Sequence, residues 1–173
     1  MTPLDTGAAM KAANQSDDPE LAPNSTTIGT RFGTFVVDLD KAITMPQGPL
    51  GFSDLHTFAI LDAPDAPDSP FKLFQAIDDP GVTFIVTPLP EGSDLIAEDD
   101  LVAACGSYSI ARENAAFLLI TKIRRDTDGT PITSVNLQAP IVVDAVNLVA
   151  RQAVFAGDRY PMQYDVQGGN AAS

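Results

Sequence analysis

The sequence predicts a mainly β fold: a compact antiparallel β-barrel-like domain with one short helix and disordered termini. Three observations carry that expectation. Short runs rich in β-branched and aromatic residues recur along the middle of the chain, each closed by Gly, Pro or Asp. A single interval has helical character. Of the 173 residues, 45% are apolar, enough to build one core and no second domain.

Taken in order, residues 1–27 are dominated by Ala, Asn, Ser, Asp and Pro, and Met10 and Leu21 are the only large apolar residues after Leu4. Such a segment buries too little to offset its chain entropy, so a disordered acidic tail is expected. Strand-type runs follow at residues 32–39, 58–61, 71–77 and 82–87. After the helical interval come 116–124, 132–137, 141–143 and 152–155. Asp128-Gly129 separates two of these runs and supplies the positive-φ residues of a tight antiparallel hairpin. A folded domain over 28–166 and a flexible C-terminal tail over 167–173 are expected.

The helix is expected at residues 97–105. Asp99 and Asp100 fall in its first turn, where the positive end of the helix dipole favours carboxylates. Leu101, Val102 and Cys105 share a face, and Gly106 closes the helix in the left-handed conformation. Cys105 reads as a small buried hydrophobe, because nothing near it in sequence lowers a thiol pKa.

Charge narrows the function classes. Asp and Glu outnumber Lys and Arg by 23 to 10, a formal net charge of -13, of which about -10 belongs to the folded part. A field of that sign repels a phosphate backbone, so direct nucleic-acid binding is not expected. Lys122, Arg124 and Arg125 form one dense basic patch, too small to reverse it. The acidity serves either solubility or capture of a basic partner, whose encounter it would accelerate. A single cysteine rules out an internal disulfide framework. Residues 1–15 lack a cationic start followed by an apolar run, and no apolar segment approaches the ~20 residues of a membrane span, so a cytoplasmic protein is expected.

Catalytic and metal chemistry find little footing, and no cofactor or metal is expected. His56 is the one histidine; with Asp54 it could supply a general base, yet no nucleophile-elbow Ser or Cys and no second His accompanies it. It reads as a surface residue. Asp126-Thr127-Asp128-Gly129 lacks the offsets of a calcium loop. Gly48-Pro49-Leu50-Gly51 contains a proline, which removes a donor N–H that a phosphate cradle needs.

Four ordered segments carry more. They are Arg31-Phe32-Gly33; Ile43-Thr44-Met45-Pro46-Gln47-Gly48-Pro49-Leu50-Gly51-Phe52; Ser69-Pro70-Phe71-Lys72-Leu73-Phe74-Gln75-Ala76-Ile77-Asp78-Asp79-Pro80; and Val135-Asn136-Leu137-Gln138-Ala139-Pro140-Ile141-Val142-Val143. With Arg151-Gln152-Ala153-Val154 and Tyr160, their order and spacing resemble the flagellar assembly factor FliW family over residues 30–166. The resemblance implies an antiparallel barrel-like fold and a non-catalytic role. FliW-like proteins bind flagellin and the small basic translational repressor CsrA, so that free flagellin releases the factor to antagonise the repressor. A monomer is expected.

The chain departs from the family pattern in three places. Met45 stands where Phe precedes the Pro-x-Gly turn, Phe74-Gln75-Ala76 keeps the family's Gln and loses a hydroxyl, and Leu89-Pro90-Glu91-Gly92-Ser93 is shorter and lacks an aromatic stretch. Phe52, Phe71, Phe74, Ile77, Leu137 and Ile141 have the spacing of buried strand positions. Asp78, Asp79, Glu91 and Asp94 are the expected acidic rim for a basic partner. Asn136 and Gln138, flanking Leu137, are either a polar contact face or solvated positions. A small ligand held in the mouth of the barrel is the alternative function that the strand count allows.

Overall fold

Strand β7, Ala115–Arg125, is eleven residues long, about twice the other strands, and the architecture follows from that length. In the computed structural model, which describes residues 23–166, the strands before it are β1 (Ser25–Thr30), β2 (Gly33–Asp38), β3 (Ile43–Thr44), β4 (Thr57–Asp62), β5 (Lys72–Ala76) and β6 (Thr83–Pro88). Helix α1 (Glu98–Ser107) lies between β6 and β7; β8 (Pro131–Val135), β9 (Ile141–Asp144), β10 (Val149–Gln152) and β11 (Tyr164–Val166) follow. One edge of β7 takes β6, with Val86 opposite Ile120. The other edge is shared: Ala115 to Leu118 pair with β9, and Thr121 to Arg125 pair with β8.

That division closes a ring in the order β7-β6-β5-β4-β3-β10-β9 and back to β7. Every pairing in it is antiparallel except β3 with β10, which is parallel at Thr44 and Val149. Strands β8 and β11 continue from the far half of β7 as a ribbon outside the ring. The expected barrel is therefore present, with one parallel seam that the sequence did not announce.

The barrel interior is filled. Phe58 and Phe74, directed inward from β4 and β5, stack at 4.4 Å with their planes 6° apart. Val86, Leu118, Ile141 and Ala150 close around them, while Met45 and Leu55 plug one end from the β3–β4 loop. A ligand in the barrel mouth has lost its premise, since side chains occupy the interior.

Two further cores lie on the outside. Leu101, Ala104 and Cys105 of α1 pack on Phe117, Leu119 and Val142. On another face the β1–β2 hairpin lays Ile28 and Val37 beside Ala59. Strands β7 and β9 are thus covered on both faces, which explains their unbroken apolar runs Phe117-Leu118-Leu119 and Ile141-Val142-Val143.

Several expectations need correction. Residues 1–22 and 167–173 of the expected tails lie outside the described residues, but Ser25, Thr26 and Thr27 belong to β1, held by pairing with Val36, Val37 and Asp38. Val102 is 48% exposed, so the buried stripe of α1 is Leu101, Ala104 and Cys105. Gly106 lies inside the helix, and Ser109 adopts the left-handed conformation that ends it (φ 57°). Strand β10 starts at Val149, ahead of the expected 152–155, because the Asp144 carboxylate accepts from the amides of Val146 and Asn147 and turns the chain without glycine. Phe52 is 39% exposed and meets Phe84 edge-on, its ring lying on the plugging loop and outside the core. Phe74, Leu137 and Ile141 are buried as expected, whereas Phe71 and Ile77 are half-buried.

Candidate protein-interaction surface

The four acidic residues of the expected rim fall into two places. Asp78 and Asp79 sit on the β5–β6 turn, both exposed. Asp78 accepts from the backbone N–H of His56 at 2.6 Å, and Asp79 accepts from that of Gly81 at 3.0 Å. Glu91 and Asp94 follow the other end of β6, also exposed. Six strand residues at about 3.3 Å each place the two pairs roughly 20 Å apart, so they are not one rim.

At the second place the fold gathers more charge than the sequence suggested. Helix α1 begins with Glu98, Asp99 and Asp100, beside the loop that carries Glu91 and Asp94. Asp99 and Asp100 read as a helix start alone; the signal missed was that a short β6–α1 loop puts Glu91, Asp94 and Glu98 on one surface. Arg112 reaches back to Glu98 at 2.8 Å and 3.1 Å, and Arg159 pairs with Asp100 at 3.0 Å. Glu91, Asp94 and Asp99 have no ion pair among the described residues. Beside them opens a cleft of about 720 Å³ with Leu95, Ile96 and Leu137 in its floor and Asp94, Glu98 and Tyr164 among its walls.

Tyr160 holds this cleft in shape. Ala97, the residue before α1, has no side chain that can cap the helix. The Tyr160 hydroxyl accepts the Ala97 N–H at 3.1 Å and donates to the Asp100 carboxylate. Burial, and then the bond to Asp100, push its phenol above the ordinary value of 10.0. A folded-state pKa raised above the unfolded one contributes stability that is intact below about pH 10 and lost as pH rises through the folded value. Tyr160→Phe is expected to cost about 1–2 kcal/mol at neutral pH. It should also flatten the loss of stability above about pH 10. Urea unfolding at neutral and alkaline pH checks both.

Asn136 and Gln138 do not lie on a strand face. Strand β8 ends at Val135, and both residues are half-buried in the loop beyond it. The Asn136 Oδ1 accepts from the N–H groups of Gln138 and Ala139, each at 3.0 Å. The Gln138 Nε2 donates to the Gly157 carbonyl at 3.1 Å. Gln138 thereby braces its loop against Gly157, while the Asn136 oxygen is committed within its own turn.

The remaining candidates resolve simply. His56 is exposed, with Nδ1 3.1 Å from the Met45 carbonyl oxygen. Asp126-Thr127-Asp128-Gly129 forms the β7–β8 turn, with Gly129 at φ 88° and its N–H donating to Asp126 O. Cys105 is buried, and that burial pushes its thiol pKa up. No helix among the described residues is long and apolar enough to cross a membrane.

A closed small barrel with a packed interior, carrying its chemistry on outer loops and a braced helix, defines the class of this protein. The family model described as FliW protein matches residues 26–166. The flagellar assembly factor FliW of Treponema pallidum (strain Nichols) is 32% identical over 136 residues, covering 78% of this chain and 86% of that protein. The factor of the same name from Geobacter sulfurreducens is also 32% identical over 136 residues, covering 82% of its length. A crystal structure of the flagellar assembly factor FliW superposes with a TM-score of 0.62 at 20% identity, covering 81% of this chain and 96% of that one. The chain belongs to the FliW family of flagellar assembly factors.

Proposed function

We propose that this protein is a non-catalytic, cytoplasmic and monomeric binder of two proteins, flagellin and a basic CsrA-type RNA-binding repressor, and that it couples flagellin level to flagellin translation without touching nucleic acid. The observation that carries the reading is an apolar-floored cleft whose wall carries the unpaired Asp94, with the unpaired Glu91 and Asp99 on the adjoining loop and helix start. An apolar floor supplies contact energy, and a charged rim supplies rate and orientation. FliW family membership supports the choice of partners. Asp78 and Asp79 give a second acidic face at the opposite end of β6, so the two partners need not share one surface.

A titration of the three proteins together tests this reading. The expected result is one complex with flagellin, one with the repressor, and loss of the second as flagellin is added. Absence of binding to both proteins would refute it. The electrostatic part has its own test: Glu91→Lys with Asp94→Lys should slow association with the repressor by about tenfold at low salt, and the difference should shrink as salt rises. An unchanged rate would assign the acidity to solubility alone.

A further inference from the structure

One recess on this acidic surface is lined by donors. In the ribbon of β7, β8 and β11, Lys122, Ser134 and Asp165 stand opposite one another in register. Directly paired residues share a sheet face. On that face lies a cleft of about 230 Å³ lined by Ile120, Lys122, Ser134, Asn136, Met162 and Gln163.

Its polar groups are unevenly used. Ser134 is only 2% exposed, and its hydroxyl has no hydrogen-bond partner among the described residues. A buried hydroxyl left unpaired is costly and calls for an explanation. The Asn136 Oδ1 is committed to two backbone amides, which fixes the orientation of the group and leaves the Nδ2 donors free. Lys122 makes no ion pair among the described residues. The carboxylate in the row, Asp165, is already held by Arg124 at 3.1 Å and 3.3 Å. The recess therefore presents an ammonium, a hydroxyl and an amide N–H, and no carboxylate lines it to meet the ammonium.

We propose that this recess receives the carboxylate of an acidic side chain from a protein partner. Lys122 supplies the charge, Ser134 and Asn136 donate to the carboxylate oxygens, and the exposed Met162 covers the methylenes. Size favours a side chain over a free metabolite, since small-molecule pockets run to about 300–1,000 Å³. This inference does not rest on the flagellin and repressor reading, because none of its residues lines the acidic cleft and its ligand is opposite in charge to the basic repressor.

The test is amide NMR on the full chain with three probes: the peptide acetyl-Gly-Glu-Gly-amide, its Gln counterpart, and sodium acetate. The Glu peptide should shift the amides of Ser134, Asn136 and Gln163 saturably, and the Gln peptide should bind about tenfold more weakly. Lys122→Met, a surface change, should weaken the Glu peptide by at least about fivefold, and Ser134→Ala should weaken it as well. Equal responses to the Glu and Gln peptides, or no effect of Lys122→Met, would overturn the proposal. Acetate binding as tightly as the Glu peptide would overturn it too, by reducing the recess to a site for any small anion.

Discussion

Gly48→Ala is expected to lower the unfolding free energy by about 3 kcal/mol or more, a fall of roughly 6–12 °C in Tm for a chain of this size. Gly48 turns the chain after Met45 with φ at +67°, a region that side chains rarely adopt. A Cβ there would lie 2.3 Å from the Phe52 carbonyl oxygen, 2.9 Å from the Ser53 Cα and 3.0 Å from the Leu55 carbonyl oxygen. All three are backbone atoms, so no side chain can swing aside. The displaced segment is the plug that seats Met45 and Leu55 in the barrel end. Gly51 is the control: its φ is +83°, yet a Cβ there meets nothing within 4 Å. Gly51→Ala should cost only the backbone strain, about 1 kcal/mol. Equal losses for the two substitutions in urea unfolding would show that the close approach at Gly48 carries no energy.

The contrast between the two glycines marks what the sequence can convey. The Pro-x-Gly spacing announces a turn, and both glycines read alike; only the folded path brings Phe52 and Leu55 back over one of them. The same holds for the strands. Runs with a strong apolar pattern, such as those of β4 to β7, were legible because their burial is written in residue type. Strands β1, β3 and β11 were not, since they are short or polar and owe their form to a partner strand: Thr26 and Thr27 to β2, Thr44 to Val149, Asp165 to Ser134. The division of β7 between β8 and β9, which closes the barrel, is a pairing between distant segments and has no local signature.

The surface was legible in kind and not in place. Counting charges gave an acidic domain, and residue types gave Asp78, Asp79, Glu91 and Asp94 as candidates. Their separation along β6, and the addition of Asp99 to the second group, depend on which turn follows which strand. Asn136 and Gln138 show the opposite problem. Polar residues flanking a buried Leu137 look alike, and only the loop geometry shows the Asn136 oxygen committed to the Gln138 and Ala139 N–H groups and the Gln138 amide to the Gly157 carbonyl.

Gln75 is the buried polar residue on which the largest remaining effect is expected. It is fully buried in β5, and its Nε2 lies within hydrogen-bond distance of the carbonyls of Ala76, Pro80 and Val82, while Oε1 accepts from the Thr83 hydroxyl. One side chain thereby fastens the turn that presents Asp78 and Asp79. Gln75→Leu preserves bulk and strands those partners, for an expected loss of about 3 kcal/mol. Gln75→Glu makes the stronger test, because a carboxylate would face carbonyl oxygens out of water. Its folded-state pKa should rise above the unfolded value of about 4.3. The protonated form can still donate one hydrogen bond, so stability should be best below that value and fall as pH rises through the folded pKa. Urea midpoints for Gln75→Glu that decline from pH 4 to pH 7 relative to the parent would bear this out. Midpoints that track the parent across that range would mean the carboxylate has reached water and that the turn is not sealed by Gln75.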